Sequence, residues 1–206
     1  MKRPRLAANF VFLLGVLLCL SILLGSMVMM AFDRDAEDPS TQQDQKVSEA
    51  DMSFELKSNA FSNGQSIPAK YSCIGRNISP GLTWSDPPVG TQSFALIMED
   101  PDAPMGTWVH WVLSNIPVDR RGLEEALPVT GKNVANANGI FVGKNSSGNI
   151  GYDGPCPPSG THRYYFKLYA LDIQIGLLPG ATREDVLREM DGHILAQAEL
   201  MGTFSK

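Results

Sequence analysis

The chain has 206 residues, a formal net charge of −5 and a pI near 5.2. With no basic patch it does not read as a nucleic-acid binder. Its three cysteines show no Cys-x-x-Cys spacing, which argues against a zinc site or a dithiol redox motif.

In chain order, Lys2, Arg3 and Arg5 precede Phe10 to Phe32, a run of 23 residues without a charge. As a helix that run would be about 35 Å long, enough for a bilayer core of about 30 Å. It predicts a signal anchor or transmembrane helix over residues 1–32. A cleaved signal peptide would have a shorter apolar region and a better cleavage site than Met29-Met30-Ala31. Basic charge before the span and acidic charge after it place the globular part on the extracytoplasmic side. It is expected to be held at the membrane through residues 10–32, or alternatively secreted after cleavage. Residues 33–51 hold seven acidic and two basic residues and no aromatic, the composition of a flexible tether. The folded domain is expected over residues 52–206.

Within that domain, short strands are predicted at 53–57, 67–71 and 82–84, the last stopped by Asp86-Pro87-Pro88. Strands at 93–99, 108–116 and 163–172 follow, and residues 139–151 supply another short strand with a glycine-rich turn. Such spacing predicts a mainly β domain with peripheral helices rather than alternating β and α units. Thr182 is a helix N-cap with Glu184 and Asp185 in the first turn, and the helix should end near Gly192. Residues 194–200 alternate in a way that permits a strand as well as a helix. His193, at that junction, is expected to be structural. Asn77-Ile78-Ser79 and Asn145-Ser146-Ser147 match glycosylation triplets and are assigned no function. Cys73 and Cys156 lie in separate loops of the domain; oxidising conditions would permit a bridge, the alternative being two buried free thiols.

Two stretches concentrate side chains with chemistry. In 100–111, DPDAPMGTWVHW, two prolines and two carboxylates stop a buried strand, and period two then puts Trp108, His110 and Val112 on one face. In 151–172, Gly151, Gly154 and Gly160 with Pro155, Pro157 and Pro158 make a stiff loop, after which His162, Tyr164, Phe166 and Leu168 share a strand face. A lone histidine over such a face is more often a satisfied core residue; a second one beside an acidic loop makes the case for a site. Asp100 offers an acceptor, His110 and His162 donors when protonated, Tyr164 a phenolic donor, Trp108 an apolar wall, and the loop around Gly154 backbone N–H groups. The set suits a small anion such as the phosphate of a phospholipid head group, with imidazole expected in its protonated form beside Asp100.

The motifs Asp100-Pro101-Asp102-Ala103-Pro104, Trp108-Val109-His110-Trp111 and Gly154-Pro155 followed by His162-Arg163-Tyr164 occur with Ile78-Ser79-Pro80-Gly81-Leu82-Thr83-Trp84 and Gly192-His193-Ile194-Leu195-Ala196. In these the sequence resembles the phosphatidylethanolamine-binding protein family, in its bacterial and archaeal, Raf kinase inhibitor-like branch, over roughly residues 52–206. The resemblance implies that family's mainly β fold and a closing strand after His193; the uncharged run ahead of it adds one preceding transmembrane helix. The resemblance also implies a ligand pocket carried by Asp100, Trp108, His110, Gly154, Pro155, His162 and Tyr164, with Asp102 bracing the loop. No cofactor or metal is implied. The expected function is a membrane-tethered, non-catalytic binding module for a small anionic or phosphorylated ligand that regulates a partner protein. The alternatives are a kinase or protease inhibitor with a vestigial pocket, and a metal-dependent hydrolase using the two histidines and Asp100 as a facial triad.

Overall fold

β structure dominates the residues that the computed structural model describes, 53–128 and 139–206. A small antiparallel sheet joins β1 (Leu56–Ser58), β2 (Leu82–Trp84) and β5 (Gly122–Leu123) in that order. A larger antiparallel sheet has the order β6 (Phe141–Val142), β4 (Trp108–Pro117), β3 (Ser93–Asp100), β7 (Thr161–Leu171) and β8 (Ile194–Ser205). One helix, α1 (Arg183–Met190), follows β7.

Alternation along the strands separates two apolar layers. Leu56, Leu82, Trp84 and Leu123 of the small sheet pack with Phe94, Leu96, Met98, Trp111, Leu113, Phe166 and Leu168 of the large one. The opposite face of the large sheet carries Ala95, Ile97, Val112 and Tyr169 beneath Val186 and Met190 of α1. The central strand β3 is therefore buried along all eight residues, which is why its middle, residues 94–98, is a continuous apolar run and not an alternating one. The helix begins where expected: the Asp185 N–H donates to the Thr182 hydroxyl, and the Thr182 N–H donates to the Asp185 carboxylate at 3.0 Å, a reciprocal cap. His193 Nδ1 lies 2.9 Å from the Asp172 carboxylate. Asn145 is 6% exposed and its side-chain amide donates to the Gly151 carbonyl at 3.2 Å, so it offers no acceptor site for a glycan.

Three expectations are corrected. The segment 67–71 is not a strand: Ala69–Tyr71 form one 3₁₀ turn after Pro68, which fixes φ at −58° and has no N–H to give a ladder. The membrane-spanning helix expected ahead of the β domain is not supported, because among the described residues no helix is long and apolar enough to cross a membrane. Residues 10–32, where the sequence placed it, lie outside the described residues. The anchored, extracytoplasmic localisation inferred from that helix loses its support with it.

Candidate functional site

At the end of the large sheet, β3 finishes at Asp100 beside the starts of β4 and β7, and the stiff loop 151–160 closes over them. Strict alternation along β4 would have sent His110 to the same face as Val112. Met98 pairs with Trp111 and Glu99 with Val109, so His110 is the extra residue of a β-bulge. The bulge leaves Val109 and Val112 both on the helix side and turns His110 toward Tyr164 of β7, with the ring centroids 5.2 Å apart and nearly perpendicular. Along β7 the expected face holds: His162, Tyr164, Phe166 and Leu168 are all buried.

The polar groups are fixed by one another. Asp100, 3% exposed, accepts the Asp102 N–H on one carboxylate oxygen at 2.8 Å and the His162 Nδ1–H on the other at 2.7 Å. Asp102 braces the loop, as expected, through a two-pronged ion pair with Arg163 at 2.9 and 2.6 Å, which holds its carboxyl down at about 2. His110 Nδ1–H donates to the Asp153 carbonyl at 2.7 Å, so Nε2 is the ring atom left for a ligand. The Ser147 hydroxyl donates to the Asp153 carboxylate at 2.6 Å.

Of these, Asp100, His110, Ser147, Asp153 and His162 line a cavity of about 500 Å³, together with Trp108, Met105, Pro104, Pro157, Pro158 and Gly154. Cys73 and Cys156 form a disulfide in its wall, their Cα atoms 5.5 Å apart. Tyr164 is fully buried, and its hydroxyl, although close to the Asp100 carboxylate and the Cys156 backbone, makes no well-formed hydrogen bond among the described residues. Burial first, and the Asp100 charge second, push that phenol upward, so it stays a donor.

Of the seven ligand residues expected, Asp100, Trp108, His110, Gly154, His162 and Tyr164 line the cavity; Pro155 is buried and does not line it. Gly154 differs from expectation in its role. Its N–H is taken by the Asn77 side-chain oxygen at 2.7 Å and is not free for a ligand. A Cβ at this position would meet the Tyr71 carbonyl oxygen at 2.2 Å, so glycine is there for close packing of two backbones. His110 also departs from the protonated form expected: burial outweighs its polar and charged neighbours and holds its pKa below the usual imidazole value. Sequence reasoning missed Asp153 and Ser147. Asp153 works through its backbone carbonyl, which no side-chain pattern signals. Among the described residues no three His, Cys, Asp or Glu side chains are grouped to hold a metal ion, so the facial triad is not assembled.

The depressed His110 has a measurable consequence. The unfolded chain takes up this proton near pH 6.5, before the native state does, so the stabilisation is complete above that pH and is lost as pH falls toward and through the folded value. Denaturant titrations at pH 7.5, 6.5 and 5.5 should show falling stability, with this residue contributing at most about 1.4 kcal/mol per pH unit. In His110→Gln that part of the slope should vanish; an unchanged slope would assign it to other groups.

Over residues 57–205 the sequence matches the profile of the family described as phosphatidylethanolamine-binding protein. A UPF0098 protein of Methanothermobacter thermautotrophicus is 51% identical over 151 residues, which make up 73% of this chain and 98% of that protein. Another, from Aquifex aeolicus, is 49% identical over 156 residues, covering 74% of this chain and 89% of that one. Among solved structures, a candidate phosphatidylethanolamine-binding protein homologue from Chlamydia trachomatis superposes with a TM-score of 0.68 at 45% identity, over 75% of this chain and 99% of its own. Escherichia coli YbcL, described as a new member of the mammalian family of that name, superposes with a TM-score of 0.67 at 32% identity, over 74% and 98%.

Proposed function

The chain belongs to the phosphatidylethanolamine-binding protein family, and we propose that its pocket binds a small anionic or phosphorylated ligand, such as a phospholipid head group, without turning it over. The observation that carries this reading is a cavity of about 500 Å³ walled by His110, His162 and Tyr164, the last with a buried hydroxyl that makes no hydrogen bond among the described residues. An unmade hydrogen bond at a buried donor costs about 1–3 kcal/mol; the Trp84 and Trp111 indoles leave theirs unmade in the core, and Tyr164 differs from them in lining the cavity. His110 and His162 stand beside it with their rings oriented by the Asp153 carbonyl and the Asp100 carboxylate. Binding is favoured over catalysis because, among the described residues, no hydroxyl or thiol hydrogen-bonds to either imidazole as an activated nucleophile would.

Tyr164→Phe separates this reading from a purely structural tyrosine. Removing a hydroxyl that has no partner should leave the ligand-free protein as stable or more stable by about 1 kcal/mol. The same change should weaken binding of inorganic phosphate or phosphoethanolamine by about tenfold or more, the worth of one hydrogen bond to a charged group. Thermal unfolding and calorimetric titration of the two proteins check both halves. A variant that is destabilised yet binds as well as the parent would refute the assignment. His162→Ala is a poorer test, because it strips the partner from the buried Asp100 carboxylate and confounds binding with folding.

A further inference from the structure

The Cys73–Cys156 bridge is sealed in neither apolar layer. Both cysteines line the cavity, with Cys156 exposed and Cys73 half-buried. Depth decides what a disulfide can do: buried cysteines are inert, whereas an exposed bridge is open to attack by a thiolate. A second observation concerns what happens once the bridge opens. The Tyr71 carbonyl accepts the Tyr152 hydroxyl at 2.7 Å, the Asn77 side-chain oxygen accepts the Gly154 N–H at 2.7 Å, and the Cys73 N–H donates to the Pro155 carbonyl at 3.1 Å. Each of these ties joins a near neighbour of Cys73, or Cys73 itself, to a near neighbour of Cys156. Breaking the S–S bond therefore leaves the two sulfurs facing each other across loops that stay in place, and the bond can form again without a search of chain conformations.

We propose that this bridge is a thiol-exchange site, at which a low-molecular-weight thiol entering the cavity is captured on Cys156 as a mixed disulfide. The thiolate attacks Cys156 Sγ, the more accessible of the two sulfurs. A new S–S bond forms to Cys156 as the old one breaks, and the electron pair leaves on Cys73 Sγ, which takes a proton from water. A second equivalent of the thiol then attacks the mixed disulfide from its own side, releasing the small disulfide and leaving Cys156 as a thiol. Two small thiols are oxidised and one bridge is reduced. Without a second equivalent, Cys73 attacks back and expels the captured thiol. The captured group stands in the cavity that His110, His162 and Tyr164 also line, so capping occupies the pocket, which mere loss of the bridge does not. The site is independent of which ligand the cavity otherwise takes.

The first test follows reduction of the oxidised full chain by excess 2-mercaptoethanol across a urea series, with acid quenching, alkylation and peptide masses that count Cys73 and Cys156 apart from Cys19. Attack on the folded protein predicts a rate that is flat in urea below the unfolding transition and within about tenfold of the rate in the denatured chain, set by access to the sulfur. A bridge reached only by global unfolding would react about 10³-fold or more slowly in buffer, following the small unfolded fraction, with a rate that climbs exponentially with urea from the start. That result would overturn the proposal. The second test treats Cys73→Ser and Cys156→Ser, each shown to be folded by circular dichroism, with oxidised glutathione. Glutathione should accumulate on Cys156 of the first faster than on Cys73 of the second. Equal or faster capture on Cys73 would overturn the assignment of the attacked sulfur. Should either variant fail to fold, the urea series on the parent decides alone.

Discussion

Replacing Cys73 and Cys156 together by serine is expected to lower the free energy of unfolding by about 4.5 kcal/mol, the loop-entropy value for a closed loop of this length. The bridge spans 83 residues of sequence, so the unfolded chain that lacks it gains a large set of conformations. Natural bridges usually contribute about 2–4 kcal/mol, and equilibrium urea unfolding of the variant against the oxidised parent measures the difference. A loss below about 1 kcal/mol would contradict the argument. The pocket itself should survive, because three other ties hold the same two loops together. Cys73 N–H donates to the Pro155 carbonyl at 3.1 Å, Gly154 N–H to Asn77 at 2.7 Å, and the Tyr152 hydroxyl to the Tyr71 carbonyl at 2.7 Å. Ligand affinity should therefore change by no more than a few-fold while stability falls steeply.

Gly154→Ala is expected to do the reverse and damage the site most. The added methyl would stand 2.2 Å from the Tyr71 carbonyl oxygen and 2.6 Å from the Asn77 side-chain oxygen. The first is backbone, and the second is the acceptor that holds this loop, so neither can yield as the tip of a flexible side chain could. The loop must withdraw, at a cost of about 3 kcal/mol, the upper part of the range for overpacking. Withdrawal moves the Asp153 carbonyl that orients His110, and binding should weaken by tenfold or more. Gly160→Ala is the control. Its φ of +71° favours glycine, but nothing lies within 4 Å of the added methyl, so only backbone strain of about 1 kcal/mol is expected, with binding intact. Equal effects on binding in the two variants would remove the steric account of Gly154.

Much of this was legible because it depends on period and composition. Period two along 162–168 placed His162 and Tyr164 on one buried face, and the Thr182 cap with Asp185 at its third position marked the helix start. The bulge at His110 was not legible, because one extra residue in a strand leaves no trace in the alternation until the partner strand is known. Gly154 was noticed for the wrong property. Glycine signals both free N–H groups and close backbone approach, and only the position of Tyr71 decides between them. The 3₁₀ turn at Ala69–Tyr71 was masked by β-prone residues on either side of Pro68. The Cys73–Cys156 pairing was open in the sequence because separation along the chain does not fix distance in space.

The measurement that bears most directly on the central claim is calorimetric titration of the full chain with inorganic phosphate and with phosphoethanolamine near pH 6. The account predicts saturable binding at one site per chain, lost or weakened at least tenfold in Tyr164→Phe while that variant stays fully folded. Absence of saturable binding at millimolar ligand, with the parent protein shown to be folded under the same conditions, would contradict it.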